Sequence, residues 1–500
     1  TLSAATTFSV SSGSLATTFH NIQDAYKDYG FAYCFACSVV DRGISKPEDY
    51  SRESIQSVVD EINQAGGNAE VVKSEKATEE TPNIVFLQME SFFDVNHLKD
   101  VTFSENPVPN FTSMKENYTS GWLTTPSFGA GTANTEFEVL SGMSLEYFGP
   151  GEYPYKGILK ETTCESAAYV LKDLGYRTHA IHNNEANFYG RKNVFANLGF
   201  DTFTSEEYMA EQDDTNPNDW MRDRNLTKYI MQALEETDDP DYIYTISVQG
   251  HGDYPEEPMI DNPKIKVSGG SSQAENYKWE YYCNQIYEMD QFVKELTDTL
   301  SKWDEDVVLV MYGDHLPTMG LNVTDVENKY LFQTEYVIWD NMGLEKKDKN
   351  LAAYQMAAEV MDQVGIHEGN VFRFHQARRN TKNYQVDLES LQYDILYGDK
   401  YVYDGTNPFE RVKTNLGVKN AELHSIEKIA EGRYYINGAN FTQSAFLEIN
   451  GELYEANFID EETLLVLDAQ IADEDKVDVA IRSNSSTHRV LTRTEKYYYQ

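Results

Sequence analysis

The sequence predicts an α/β protein with a mostly parallel central sheet flanked by helices, followed by a small all-β sandwich. Three observations carry this. From residue 83 onward, short apolar runs alternate with amphipathic stretches, the pattern of strands joined by helices that cross back over a parallel sheet. Polar side chains follow directly after several of those apolar runs, as they do where a parallel sheet builds a site at the carboxyl ends of its strands. From about residue 421 the pattern changes to short alternating pieces separated by turn residues, which predicts a β-sandwich.

Taken in order, residues 1–78 read as a helical and irregular lead-in. SRESIQSVVDEINQAGG (51–67) has apolar residues at helical spacing and a Gly-Gly stop. KSEKATEETPN (73–83) is charged and Thr-rich, and reads as a linker. The α/β part is expected over 79–420. NIVFLQM (83–89), RTHAI (177–181), DYIYTISV (241–248) and VVLVMY (307–312) read as strands. CESAAYVLKDLG (164–175) and a long segment at about 275–302 read as helices. In 421–500 the pieces RYYINGANF, AFLEINGELYEANF, TLLVLD, KVDVAIRS and RVLTRT read as strands, and Asn-Gly at 437–438 and at 450–451 reads as two turns.

Composition narrows the function. With 500 residues the chain is long enough for two or three domains. A net charge of −41 excludes a general nucleic-acid binder and a broad basic surface for anionic lipid. An enzyme acting on an anionic substrate would need a local positive site, a metal with a few Arg, Lys and His. The four cysteines are too few to build a disulfide framework. Cys34 and Cys37 form a CxxC in an apolar segment, read first as buried free thiols and second as a local disulfide or redox pair. No stretch is long and apolar enough to span a bilayer.

The candidate chemistry sits after the strands. Glu90 and Ser91 follow the first, His182 and Asn183 the second, and His251 the third, in QGHGDYP. Gly313, Asp314 and His315 follow the fourth. A carboxylate beside an imidazole is a natural ligand pair for Mn²⁺, Zn²⁺ or a related ion. In SFGAGTANTEFEVLSGM (127–143) the glycines allow a close backbone approach, and a helix is expected to start near Asn134 or Thr135. Thr132 then lies at a helix N-terminus, where free N–H groups favour an anion, and a metal-activated hydroxyl there can attack phosphorus. Thr135 is expected to cap the helix, with Glu138 completing a capping box.

Taken together, MESFFD (89–94), GAGTANTEFEVLSG (129–142), FYGRKNVFANLGFD (188–201), HGDYP (251–255) and YGDHLP (312–317) resemble the lipoteichoic acid synthase family. That family lies within the sulfatase and alkaline-phosphatase superfamily. The resemblance spans about 83–400. It implies that Glu90, Thr132, Asp314 and His315 bind one divalent ion, a ligand set that suits Mn²⁺ ahead of Mg²⁺ or Zn²⁺. It implies Thr132 as nucleophile, Arg191 and His251 as phosphate-holding residues, and His182 and Tyr189 as lining of the substrate groove. Tyr189 stands where Trp is usual, and Asn134 where some relatives carry Asp.

The activity implied is transfer of glycerol-phosphate from phosphatidylglycerol, an anionic phospholipid donor, to a cell-wall polymer or glycolipid acceptor, through a covalent phosphothreonine. The location implied is the extracellular face of a bacterial cytoplasmic membrane, with tethering by N-terminal helices outside this sequence. Arg191→Ala is expected to weaken donor turnover far more than folding. The rivals are a sulfatase-type hydrolase, for which no C-x-P-x-R motif is present, a phosphoethanolamine transferase, and a non-catalytic surface-binding protein. The C-terminal sandwich resembles the IPT/TIG branch of immunoglobulin-like domains.

Overall fold

The computed structural model describes residues 43–65, 81–149 and 151–500. Its strands up to residue 416 are β1 (Asn83–Met89), β2 (Thr102–Phe103), β3 (Thr119–Thr124), β4 (Arg177–His182), β5 (Thr202–Ser205), β6 (Asp241–Ile246), β7 (Val267–Ser268), β8 (Val307–Gly313), β9 (Gln333–Asp340), β10 (Leu351–Ala352) and β11 (Asn415–Leu416). The C-terminal strands are β12 (Glu422–Ala430), β13 (Arg433–Ala439), β14 (Ala445–Ile449), β15 (Glu452–Asp460), β16 (Thr463–Leu467), β17 (Lys476–Arg482), β18 (Val490–Arg493) and β19 (Tyr497–Tyr498).

Among the described residues, nine strands form the central sheet, in the order β10-β3-β9-β8-β1-β6-β4-β5-β11. The run from β8 to β11 is parallel throughout. Only β9 reverses, pairing antiparallel with both β8 and β3. The mostly parallel sheet read from the sequence is therefore present, and the expected strands lie within a residue or two of their places.

Both faces of this sheet are buried, which is why its strands are continuous apolar runs. Ile84, Phe86, Val308 and Val310 point into one core, and Val85, Leu87, Leu309 and Met311 into the other. The long helix Gln273–Leu300 covers the second face with Trp279, Cys283, Ile286, Met289 and Val293. Its start is set by Ser272, whose hydroxyl accepts from the Glu275 N–H at 3.1 Å. The first face is covered by helices Thr132–Ser141, Ala167–Asp173, Met356–Gln363, Asn370–Arg378 and Tyr384–Leu396. Helix Arg52–Ala65, read as part of the lead-in, joins this same core through Val58 and Ile62.

The C-terminal strands are all antiparallel, along the path β12-β13-β16-β15-β14-β17-β18. β15 pairs with β14 through residues 452–455 and with β16 through residues 456–460. That change of partner folds the strands around one apolar core that includes Tyr434, Ile436, Leu447, Val466, Val479 and Ile481. The unit docks on the α/β body through Tyr208, whose hydroxyl meets Thr492 at 2.8 Å, and through Thr442, which donates to the Glu207 carbonyl at 2.8 Å.

Asn450-Gly451 makes the expected two-residue hairpin, with φ of 52° and 95°. Asn437-Gly438 does not turn; it lies inside β13. A side chain at 438 would put its Cβ 1.9 Å from the Glu422 carbonyl, so this glycine serves a close strand crossing at a bulge.

Cys34 and Cys37 lie outside the described residues, while Cys164 and Cys283 are buried free thiols. Among the described residues no helix is long and apolar enough to cross a membrane.

Candidate active site at the carboxyl edge of the sheet

Strand register brings the predicted residues to one level. Met89 pairs with Gly313, Gln88 with Ile246, and Ile246 with His182. The next residues along β1, β6 and β8 are Glu90, Ser247 and Asp314, so their side chains emerge together. They are tied to each other: the Glu90 N–H donates to Ser247 Oγ at 2.9 Å, and the Ser91 N–H to Asp314 Oδ1 at 2.7 Å.

Thr132 is delivered from another element. The helix Thr132–Ser141 starts at Thr132 itself, after Gly131 at φ 104°. A Cβ at Gly131 would stand 2.6 Å from Ser127 Oγ, so only glycine allows this entry. The Thr132 hydroxyl donates to Glu90 Oε2 at 2.8 Å. Expecting Thr135 as the cap was an error. Thr135 already lies in the first turn and donates to the Asp314 carbonyl at 2.9 Å, pinning the helix to the end of β8. Glu138 turns away and accepts from the Leu145 N–H at 2.8 Å.

Glu90, Asp314 and His315 form a buried cluster whose ligand atoms lie within 4.8 Å of one another. His315 Nδ1 lies 2.9 Å from the Leu316 carbonyl, which makes Nδ1 a protonated nitrogen and turns Nε2 toward the carboxylates. Nε2 is 3.6 Å from Glu90 Oε1 and 3.4 Å from Asp314 Oδ2. Asp314 Oδ2 and His315 Nε2 are buried without a hydrogen-bond partner, an expensive state in a dry interior. Burial raises the Asp314 carboxyl to about 7, and the Glu90 carboxylate adds to the rise while His315 opposes it. Burial alone would lower His315, yet the carboxylates of Asp314 and Glu90 hold it above its usual value. Two carboxylates, one imidazole nitrogen and a hydroxyl make a donor set that fits a divalent cation, which would displace any proton on Nε2. A second acidic group, Asp94, His97 and Glu335, is already filled by Lys115, whose Nζ lies 2.9 Å from both Asp94 and Glu335.

The remaining predicted residues surround this cluster at different depths. His251 lines the cleft, packs against Trp220 at 4.5 Å between ring centroids, and has Nδ1 unpartnered. Its loop lies directly on β1, because a Cβ at Gly250 would stand 2.2 Å from the Glu90 carbonyl. His182 is buried, with Nδ1 2.9 Å from the Ile246 carbonyl. Burial, then Arg191 and His251, hold it well below its usual pKa, so it is a neutral imidazole. Tyr189 forms the rim with φ 56°, stacks on Tyr153 at 5.7 Å, and shares the ammonium of Lys156 with it. Asn183 points away, donating to Asp223 at 2.9 Å.

Arg191 differs from its expected form. It is 1% exposed, and its guanidinium is clamped by Glu136, with Nη2 at 2.5 Å and Nε at 3.1 and 3.2 Å. Nη1 is left buried and unpartnered. Glu136 was not singled out from the sequence, although its place four residues after Thr132 on one helix was a usable signal. Ser247, Tyr153 and Lys156 were likewise missed. A cleft of about 840 Å³ opens over Glu90, Thr132, His315, His251 and Tyr189.

The Sulfatase family profile matches residues 82–366. A Rhizobium meliloti protein named for cyclic β-1,2-glucan modification is 26% identical over 418 residues, covering 75% of this chain and 63% of its own length. Lipoteichoic acid synthase 1 of Bacillus subtilis is 22% identical over 180 residues, covering 34% of this chain and 28% of its own. The chain thus spans less than two thirds of either relative. The structure of the Streptococcus pyogenes phosphoglycerol transferase GacH, solved with sn-glycerol-1-phosphate, superposes with a TM-score of 0.64 at 23% identity, over 74% of this chain and 99% of that one.

Proposed function

Because this chain belongs to the Sulfatase family, we propose that it is a metal-dependent phosphotransferase. In this reading it moves glycerol-phosphate from phosphatidylglycerol to a polymer or glycolipid hydroxyl, with Thr132 as covalent carrier. The observation that carries the reading is the Thr132 hydroxyl, held 2.8 Å from Glu90 beside the unpartnered atoms of Asp314 and His315, at the floor of a large cleft. The relatives, named for lipoteichoic acid synthesis, glucan modification and phosphoglycerol transfer, support glycerol-phosphate as the transferred group and a polymer or glycan as acceptor.

Glu90, Thr132, Asp314 and His315 would hold the ion, with Mn²⁺ suiting mixed oxygen and nitrogen donors. A bound divalent ion lowers the pKa of a coordinated hydroxyl and offsets charge on the attacked phosphate. Glu90 aims the Thr132 oxygen along a fixed hydrogen bond, and the surrounding helix N-terminus presents N–H groups to the phosphate. In this reading the unpartnered Arg191 Nη1 and His251 Nδ1 would take the remaining phosphate oxygens. In the first step the Thr132 Oγ–phosphorus bond forms and the phosphorus–oxygen bond to diacylglycerol breaks. The Thr132 proton passes to Glu90 Oε2, which already accepts its hydrogen bond, and His251 supplies one to the departing diacylglycerol oxygen. In the second step the acceptor hydroxyl attacks phosphorus and loses its proton to His251, while the phosphorus–oxygen bond to Thr132 breaks and Thr132 takes its proton back from Glu90.

The enzyme would work on the extracellular face of a bacterial membrane. The test is diacylglycerol release from phosphatidylglycerol vesicles with added Mn²⁺, comparing the wild type with Thr132→Ala. Release by the wild type alone supports the reading. Release of ethanolamine-phosphate products, or of sulfate from sulfate esters, would move the chain to a sister activity.

A further inference from the structure

We propose that Glu136 is a specificity-determining residue, one that makes the site select a singly charged phosphodiester over a doubly charged phosphomonoester. The inference rests on the reading that phosphate is received beside Thr132 and Arg191.

The geometry begins with the helix Thr132–Ser141. Its first residue is the proposed nucleophile, and Glu136 is fully buried one turn later. Glu136 takes two of the five N–H donors of Arg191, the single Nε–H shared between both carboxylate oxygens and one N–H of Nη2. A carboxylate this close cancels the charge of the guanidinium within the dry interior, where charges act most strongly. Glu136 thus fills the Nε–Nη2 edge of the guanidinium and neutralises its charge, and Nη1 is left without a partner.

A charge count around the cleft points the same way. Glu90 and Asp314 match the charge of one divalent ion. Arg191 is matched by Glu136. His182 is neutral, and Lys278 on the cleft wall is paired with Glu256 at 2.7 Å. Lys156 is exposed at the rim, where water screens it. Glu146, Glu152 and Asp253 also line the cleft, so the site holds no net positive charge of its own. A diester carries one negative charge at neutral pH, while a monoester carries close to two. The fixed Glu136 carboxylate repels the dianion about twice as strongly as the monoanion, so removing it favours the monoester.

The test is calorimetric titration of the Mn²⁺-loaded protein at about pH 8, above the second phosphate pKa. The probes are glycerophosphoglycerol as diester and glycerol 1-phosphate as monoester. The wild type is expected to bind the diester more tightly. Glu136→Gln keeps an acceptor for Arg191 and is expected to move the affinity ratio toward the monoester by at least about tenfold. Glu136→Asp keeps the charge and is expected to weaken both ligands while holding the wild-type ratio, which a merely structural role would not distinguish. An unchanged ratio in Glu136→Gln overturns the proposal. So does a wild type that prefers the monoester or binds neither probe, and that result stands even if the glutamine variant fails to fold. Absence of diacylglycerol release with a shifted ratio would reject the glycerol-phosphate reading and leave the role of Glu136 standing.

Discussion

The carboxyl edge of the parallel strands and the C-terminal β unit bury their residues in opposite ways. The β unit encloses Tyr434, Ile436, Leu447, Val466, Val479 and Ile481, apolar side chains that need nothing but each other. Its buried carboxylates Glu448 and Asp478 face Arg493 near the surface. The strand edge instead buries Glu90, Glu136, Arg191, Asp314 and His315, and leaves Arg191 Nη1, Asp314 Oδ2 and His315 Nε2 unpartnered. An interior that keeps polar atoms unpaired gives up stability, and such sites are where a ligand completes the set. The comparison separates a region built for stability from one built for chemistry.

The largest effect should come from Arg191→Ala. The sequence alone suggested a loss of turnover with folding spared. The Glu136 clamp changes that expectation, because the alanine strands a buried carboxylate. Both turnover and stability should fall, the latter by about 3–5 kcal/mol, measured by denaturant unfolding. A variant of wild-type stability would mean that Glu136 finds another partner.

In the β unit Leu447→Ala should cost about 2–5 kcal/mol through an apolar cavity. Turnover per folded molecule should hold, since Leu447 lies in the separate apolar core. Loss of turnover in fully folded protein would break the division between the two regions.

Divalent metal should stabilise the strand edge only. With Mn²⁺ at one hundred times its dissociation constant, the stabilisation is about 2.7 kcal/mol, seen as a rise in Tm. Asp314→Asn should abolish the rise. Chelation should return the wild type to its metal-free Tm.

The smallest effect concerns Glu138, whose carboxyl burial raises to about 8, with Glu146 adding and the Leu145 N–H and Ser144 hydroxyl opposing. A folded pKa above the unfolded value means its contribution is full below about pH 4.5 and is lost as pH rises through 8. Glu138→Gln should flatten that part of the stability profile. An unaltered slope would place the titration elsewhere.

Much of this was legible in the sequence because strand residues with both faces buried are apolar without interruption. NIVFLQM coincides with β1, and the polar residue after each such run marked the edge where the site lies. Other features depend on contacts that local pattern does not encode. The Glu136–Arg191 pair joins two helix starts 55 residues apart. β9 is antiparallel and mixed in character, so QTEYVIWD gave no parallel-strand signal. Thr135 had the chemistry of a cap, but the positive φ of Gly131 starts the helix three residues earlier. Asn437-Gly438 had the composition of a turn, and strand crossing decided otherwise.

The central claim is that Thr132 carries the transferred group. The direct measurement is peptide mass spectrometry of acid-quenched protein after incubation with phosphatidylglycerol and Mn²⁺. The account predicts one added glycerol-phosphate on the peptide holding Thr132, absent from Thr132→Ala. Diacylglycerol release with an unmodified Thr132 peptide, or release retained in Thr132→Ala, would contradict it.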